Sequence, residues 1–151
     1  MLSRLDYCNF RLVGLPQYLI KRLRGVENAA ARSILRTPRS ELSPLLQFLD
    51  CLPVNWRTLH KAAALYHTSL SGSGPQYLSD LIHVYTPARS LRSSSDTRIL
   101  STPNVKLKSH GQRSFAYHGP STWNSLPLAL RYQQESACFK RALKTHLFSL
   151  N

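Results

Sequence analysis

Acidic residues are scarce in this chain. Its 151 residues carry 7 Asp and Glu against 20 Lys and Arg, a formal charge of +13. The seven acids are Asp6, Glu27, Glu41, Asp50, Asp80, Asp96 and Glu135, and no two lie within three residues of one another. Two-metal chemistry needs carboxylates held together around the ions, and local sequence supplies no such pair. Cysteine is sparse as well: Cys8, Cys51 and Cys138 are odd in number and far apart. They read as buried free thiols in a reducing compartment, not as a disulfide framework. No two stand at a metal-ligand spacing and no His pair completes a set, so zinc is not expected. His60 and His67 share a helical face, but as exposed helix histidines.

Other absences narrow the class further. No apolar run approaches the ~18–20 residues that span a bilayer, so no membrane partner is expected. The start lacks a secretory h-region and cleavage site, which points to an intracellular chain, nuclear or cytoplasmic. There is no phosphate-cradling Gly-rich loop of the Walker type and no Gly-x-Ser-x-Gly elbow. The site checklist therefore yields no enzyme, no cofactor and no small-molecule substrate.

What is present is a basic chain with enough apolar residues, 42%, to form a core. A charge of this sign is the footprint of a polyanion partner. "PQYLIKRLRGVENAAARSIL", from Pro16 to Leu35, predicts a helix. Pro16 suits the first turn and Pro38 discourages continuation. At 100° per residue, Leu19, Leu23, Val26, Ala30 and Ile34 fall on one side. Lys21, Arg22, Arg32 and Arg36 fall on the other, with Arg24 at the edge. Leu2, Leu5, Cys8 and Leu12 form an earlier stripe, and Leu42, Leu45, Leu46 and Leu49 a short helix. Pro53 opens a helix whose buried side is approximated by Val54, Leu59, Ala63, Tyr66 and Leu70, with Trp56 as a core anchor. "SGSGP" at 71–75 is the strongest break, dividing a helical segment, 1–72, from a second part, 73–151.

In that second part "QYLSDLI" predicts a short helix. A Ser-rich basic stretch follows, containing Arg92, Arg98, Lys106 and Lys108. Val105 and Leu107 alternate with Lys106 and Lys108, and "RSFAYHG" offers a partner strand. A small β-hairpin is expected between about 97 and 118. Gly119-Pro120 and Pro127 read as turns around Trp123 and Leu126. Ser136 then caps a C-terminal helix with an apolar stripe of Phe139, Leu143, Leu147 and Leu150, opposite Lys140, Arg141 and Lys144.

Seven stretches in order carry a resemblance: "SRLDYCN", "GLPQYLIKRLRGVENAAARSILRTPR", "LPV", "GPQYLSDLI", "YTPARSLRSSS", "VKLKSHGQRSFAYHGPSTWNSLPLALR" and "FKRALKTHLF". Together they resemble the C-terminal end of the reverse transcriptase of LINE-type, non-LTR retrotransposons, in particular its jockey-like groups. The resemblance covers essentially the whole chain. It implies a mainly α fold, with a helical thumb-like segment, the small hairpin and the C-terminal helix. It also implies that the catalytic palm belongs to sequence upstream, Met1 being an internal methionine of the ancestral element. The parent activity is RNA-directed DNA polymerisation, and none of its catalytic aspartates maps here. The chain departs from the family at Gly25 and Glu27, at Asp50-Cys51 and at "SLSGSGP", which reads as drift in a decaying copy.

Two readings follow. In the first, the fragment keeps a sequence-independent hold on RNA or DNA backbones through Lys21, Arg22, Arg32, Arg36, Arg92, Lys106 and Lys108. In the second, it is an inactive remnant of a truncated element. Faces that once packed on the palm, among them the Leu2–Leu12 stripe, predict non-specific self-association.

Overall fold

The computed structural model describes residues 12–36, 51–87, 98–107 and 111–150. The Leu2–Leu12 stripe up to residue 11 and the Leu42–Leu49 helix lie outside them. Six α-helices are formed among the described residues. They are α1 (Gln17–Leu35), α2 (Val54–Leu70), α3 (Gln76–Ser79), α4 (Phe115–Ser125), α5 (Leu128–Arg131) and α6 (Ser136–Ser149). The expected mainly α class is what the chain adopts. Among the described residues, no helix is long and apolar enough to cross a membrane. The chain divides into two compact units, Met1–Lys61 with Lys144–Asn151, and Ala62–Leu143.

In the first unit, α1 begins after Pro16, as its fixed φ favours. Its buried side differs from the one hydropathy indicates. Glu27 and Ala31 are buried, while Val26 and Ile34 are 47% and 67% exposed. The reason is an acid used as a fastener. Glu27 Oε2 accepts the Val54 backbone N–H at 3.2 Å, and its Oε1 lies 3.0 Å from Arg57 Nη2. Val54 opens α2, so the carboxylate caps the positive end of that helix from outside it. Turning Glu27 inward carries Val26, one residue and ~100° away, out to solvent. Glu27 is thus a structural member of this unit.

In the second unit the core gathers on α2, α4 and α6. Tyr66, Trp123, Phe139 and Leu143 are each at most 1% exposed. His67 is buried as well, contrary to an exposed helix histidine. Its ring stacks on Phe139 with centroids 4.3 Å apart, and Nε2 donates to the Gln133 carbonyl at 2.8 Å. An aromatic heterocycle with one satisfied N–H packs here as a core ring does. Of the α6 stripe, Phe139, Leu143 and Leu147 are buried, whereas Leu150, past the last helical residue, is exposed. Cys51 is half-buried and Cys138 exposed, not the buried thiols expected. Cys138 lies off the α6 stripe and donates to Glu135, which pushes its thiol pKa up.

α2 ends at the "SGSGP" break in a glycine cap. Gly72 takes φ +72°, and the Ser73 and Gly72 N–H groups donate to the Thr68 and Ser69 carbonyls. This is a Schellman closure, whose left-handed residue favours glycine. α3 follows at the place expected for it.

The expected hairpin does not form. "RSFAYHG" enters α4 after a 3₁₀ turn at Gly111–Arg113, and residues 101–107 contain no strand, with Leu107 68% exposed. An isolated hairpin is marginal in water. The helix instead places Phe115, Gly119, Thr122 and Trp123 on one face, with Leu126 following as its C-cap, and all but Phe115 of these are buried. Gly119-Pro120 is correspondingly inside the helix and not a turn. Glycine is required there because a Cβ would lie 1.5 Å from Tyr66 Cζ. The Tyr66 ring stacks on Phe115 at 4.4 Å and its hydroxyl donates to the Phe115 carbonyl. Burial raises the pKa of that hydroxyl.

Among the described residues the β pairing is a single antiparallel bridge, Val84 with Leu100. Tyr85 N–H donates to Ile99 O at 2.9 Å and Ser101 N–H to His83 O at 2.8 Å. That pattern turns the backbone groups of Leu100 to the far side. There Asn124 takes both, accepting from Leu100 N–H at 2.9 Å and donating to its carbonyl at 2.8 Å. Next door, Trp123 Nε1 donates to Arg98 O at 2.8 Å. The "WN" pair on α4 thereby holds 98–100 by three hydrogen bonds.

Candidate nucleic-acid interface

Helix periodicity carries the cationic face over from sequence to structure. On α1, Lys21, Arg32 and Arg22 fall within an arc of about 100°, and Arg36 follows as the C-cap. Lys21, Arg22 and Arg36 are exposed and Arg32 is half-buried. Arg36 closes the helix in a left-handed conformation, φ 50°, at the end whose partial negative charge favours a cation. Arg24 is exposed to the other side of Lys21. No acid stands in the first turn of α1. The one acid of the helix, Glu27, is withdrawn into its pairing with Arg57, so α1 itself sets no acid on its outer face.

The remaining sequence-level residues fall elsewhere. Lys106 is exposed in the second unit, on the irregular 101–107 segment. Arg92 and Lys108 lie outside the described residues. Arg98, part of the same basic stretch, is used internally. Its Nη1 donates to the Arg131 carbonyl at 2.6 Å, and its guanidinium sits 5.2 Å from the Tyr132 ring centroid.

The structure adds a concavity that sequence reading missed. It has a volume of about 430 Å³ and is lined by Gln17, Tyr18, Ile20, Lys21 and Arg24 of α1 and Asn55 of α2. Tyr18, Lys21 and Arg24 stand at i, i+3, i+6, forming a row with ~4.5 Å of helix rise between members. Tyr18 is 65% exposed. Asn55 is half-buried, and its Oδ1 is buried with no hydrogen-bond partner among the described residues. Tyr18 and Arg24 were readable from α1 periodicity alone. Asn55 was not, because it arrives from a different helix.

A second cavity, of about 350 Å³ within the other unit, is lined by His67, Leu70, Val84, Arg98, Leu100 and Trp123 among others. Among the described residues Arg98 is its one Lys or Arg, engaged as described, so this cavity has the weaker claim on a polyanion. Among the described residues, no group of three or more His, Cys, Asp or Glu is placed to hold a metal ion.

Comparison with protein-family models, curated proteins and solved structures returns no match to this chain.

Proposed function

We propose that this chain is a non-catalytic, C-terminal module of a retrotransposon-type RNA-directed DNA polymerase that binds nucleic acid through the phosphate backbone, without reading sequence. One observation carries the binding: an exposed row of cations on α1 whose only acidic neighbour on the helix is buried in an ion pair. Lys and Arg presented from one helix face neutralise phosphates and release counterions, a mechanism indifferent to base identity. The ordered motifs resembling the region after the polymerase palm supply the context, and the catalytic carboxylates would reside in that palm. Lys106, Arg92 and Lys108 extend the cationic set in the second half of the chain.

The test is a salt titration of binding to a duplex and to a DNA–RNA hybrid. Four phosphates neutralised by Lys21, Arg22, Arg24 and Arg36 give a slope of about −3 to −4 in log K against log salt. Replacing Arg22 and Arg36 by glutamine makes that slope shallower by about one per cation. Affinity indifferent to salt, or absent at ~50 mM, refutes the reading.

A further inference from the structure

We infer that the concavity beside α1 captures one unstacked nucleotide of a single strand, its base on Tyr18 and its phosphates on Lys21 and Arg24. This rests on the backbone-binding reading and adds to it a strand class and a base contact. Backbone neutralisation alone calls for cations. It calls for neither an exposed aromatic among them nor a recess, and this surface has both.

The lining divides by chemistry into the parts of a nucleotide. Lys21 and Arg24, one turn apart and exposed, supply the positive charge for phosphate. Tyr18 stands one turn before Lys21 on the same row and presents its ring to solvent. An aromatic face next to cations is the stacking element of single-strand binding, and it accepts any base because every base has a π-face. Gln17 and Asn55 line the same recess. A volume of about 430 Å³ lies toward the small end of ligand pockets, which run from about 300 to 1,000 Å³. It suits one ring system with its sugar. A paired and stacked base cannot present its face to Tyr18, so the occupant is a single strand, a gap or a frayed end.

The experiment measures binding of wild-type protein, Tyr18→Ala and Tyr18→Phe to three probes: a short single strand, its duplex, and an abasic strand with the same phosphate count. Wild type is expected to bind the single strand about tenfold more tightly than the abasic strand. Tyr18→Ala loses that tenfold and Tyr18→Phe keeps it, while duplex affinity and salt slope stay unchanged in both variants. Tyr18 is exposed, so its replacement leaves the core intact. Equal affinity for the single and abasic strands, or an unaltered Tyr18→Ala, overturns the base contact and leaves backbone binding standing. A free mononucleotide binding as tightly as the strand overturns the strand as its source. Wild type that binds none of the probes at low salt overturns the backbone reading and this one with it.

Discussion

Replacing Gly119 by alanine should unfold the second unit at a much lower temperature. The added Cβ would stand 1.5 Å from Tyr66 Cζ, 1.7 Å from Cε2 and 1.9 Å from the hydroxyl oxygen, distances at which one group must leave. The ring has no free direction. It is fully buried, stacked 4.4 Å from Phe115, and tied by its hydroxyl to the Phe115 carbonyl. Overpacking of this kind costs about 1–3 kcal/mol. Tearing the hydroxyl from its acceptor adds about 1–3 kcal/mol for a buried polar group left unmet. The sum, about 2–6 kcal/mol, is a large fraction of the ~5–15 kcal/mol that holds a domain together. Near 150 residues it corresponds to a Tm lower by roughly 5–20 °C, read by circular dichroism at the helix band. Gly25→Ala is the internal control. Nothing lies within 4 Å of its added Cβ, so the α1 interior should gain about 0.5–1 kcal/mol. A Tyr66→Leu background should relieve the clash, so the two changes combine non-additively. A Gly119→Ala protein melting within ~2 °C of wild type would refute the close approach of the two helices.

Two further outcomes follow from buried groups. Glu27→Ala removes the carboxylate from an Arg57 side chain that is only 12% exposed, and opens the α2 N-terminus. A loss of about 3–5 kcal/mol is expected in urea unfolding, and a loss below ~1 kcal/mol would contradict the fastening role. His118, beside Thr122, has its pKa lowered by burial below the ordinary His value of 6.5. The unfolded chain therefore takes up a proton near pH 6.5 while the folded ring does not. The stability due to the neutral ring is complete above that pH, falls as the pH drops below it, and levels off once the folded ring is protonated. Melts between pH 7.5 and 5 should show a shallower decline for His118→Gln than for wild type, and parallel curves would remove His118 from the acid response.

Much of the helical fold was legible in the sequence because it depends on local signals. Pro16 set the start of α1, the spacing of Phe139, Leu143 and Leu147 set the face of α6, and glycine and proline marked the end of α2. What misled the reading was tertiary. Gly119-Pro120 carries a strong turn signal, yet the glycine answers to a tyrosine more than fifty residues earlier in the chain. Glu27 reads as drift until its partners, Val54 and Arg57, are folded against it. The alternation of Val105 to Lys108 is too short to outweigh the burial that α4 achieves with Trp123 and Leu126. For the candidate site, the cations of α1 followed from periodicity, since charge and helical phase suffice to place them on an outer face. The recess did not, because it needs Asn55 from beyond the intervening segment.

The clasp of Asn124 on Leu100 bears on how copies of this chain meet one another. Segment 99–101 has the 83–85 backbone along one flank and an amide side chain along the other. Asparagine stands in for the next strand and terminates the ladder, so this stretch offers no open rail on which a neighbouring chain can zip by backbone pairing. Crowded copies of the folded protein must adhere here through side-chain surfaces, and changing Asn124 would expose a docking rail for cross-strand growth.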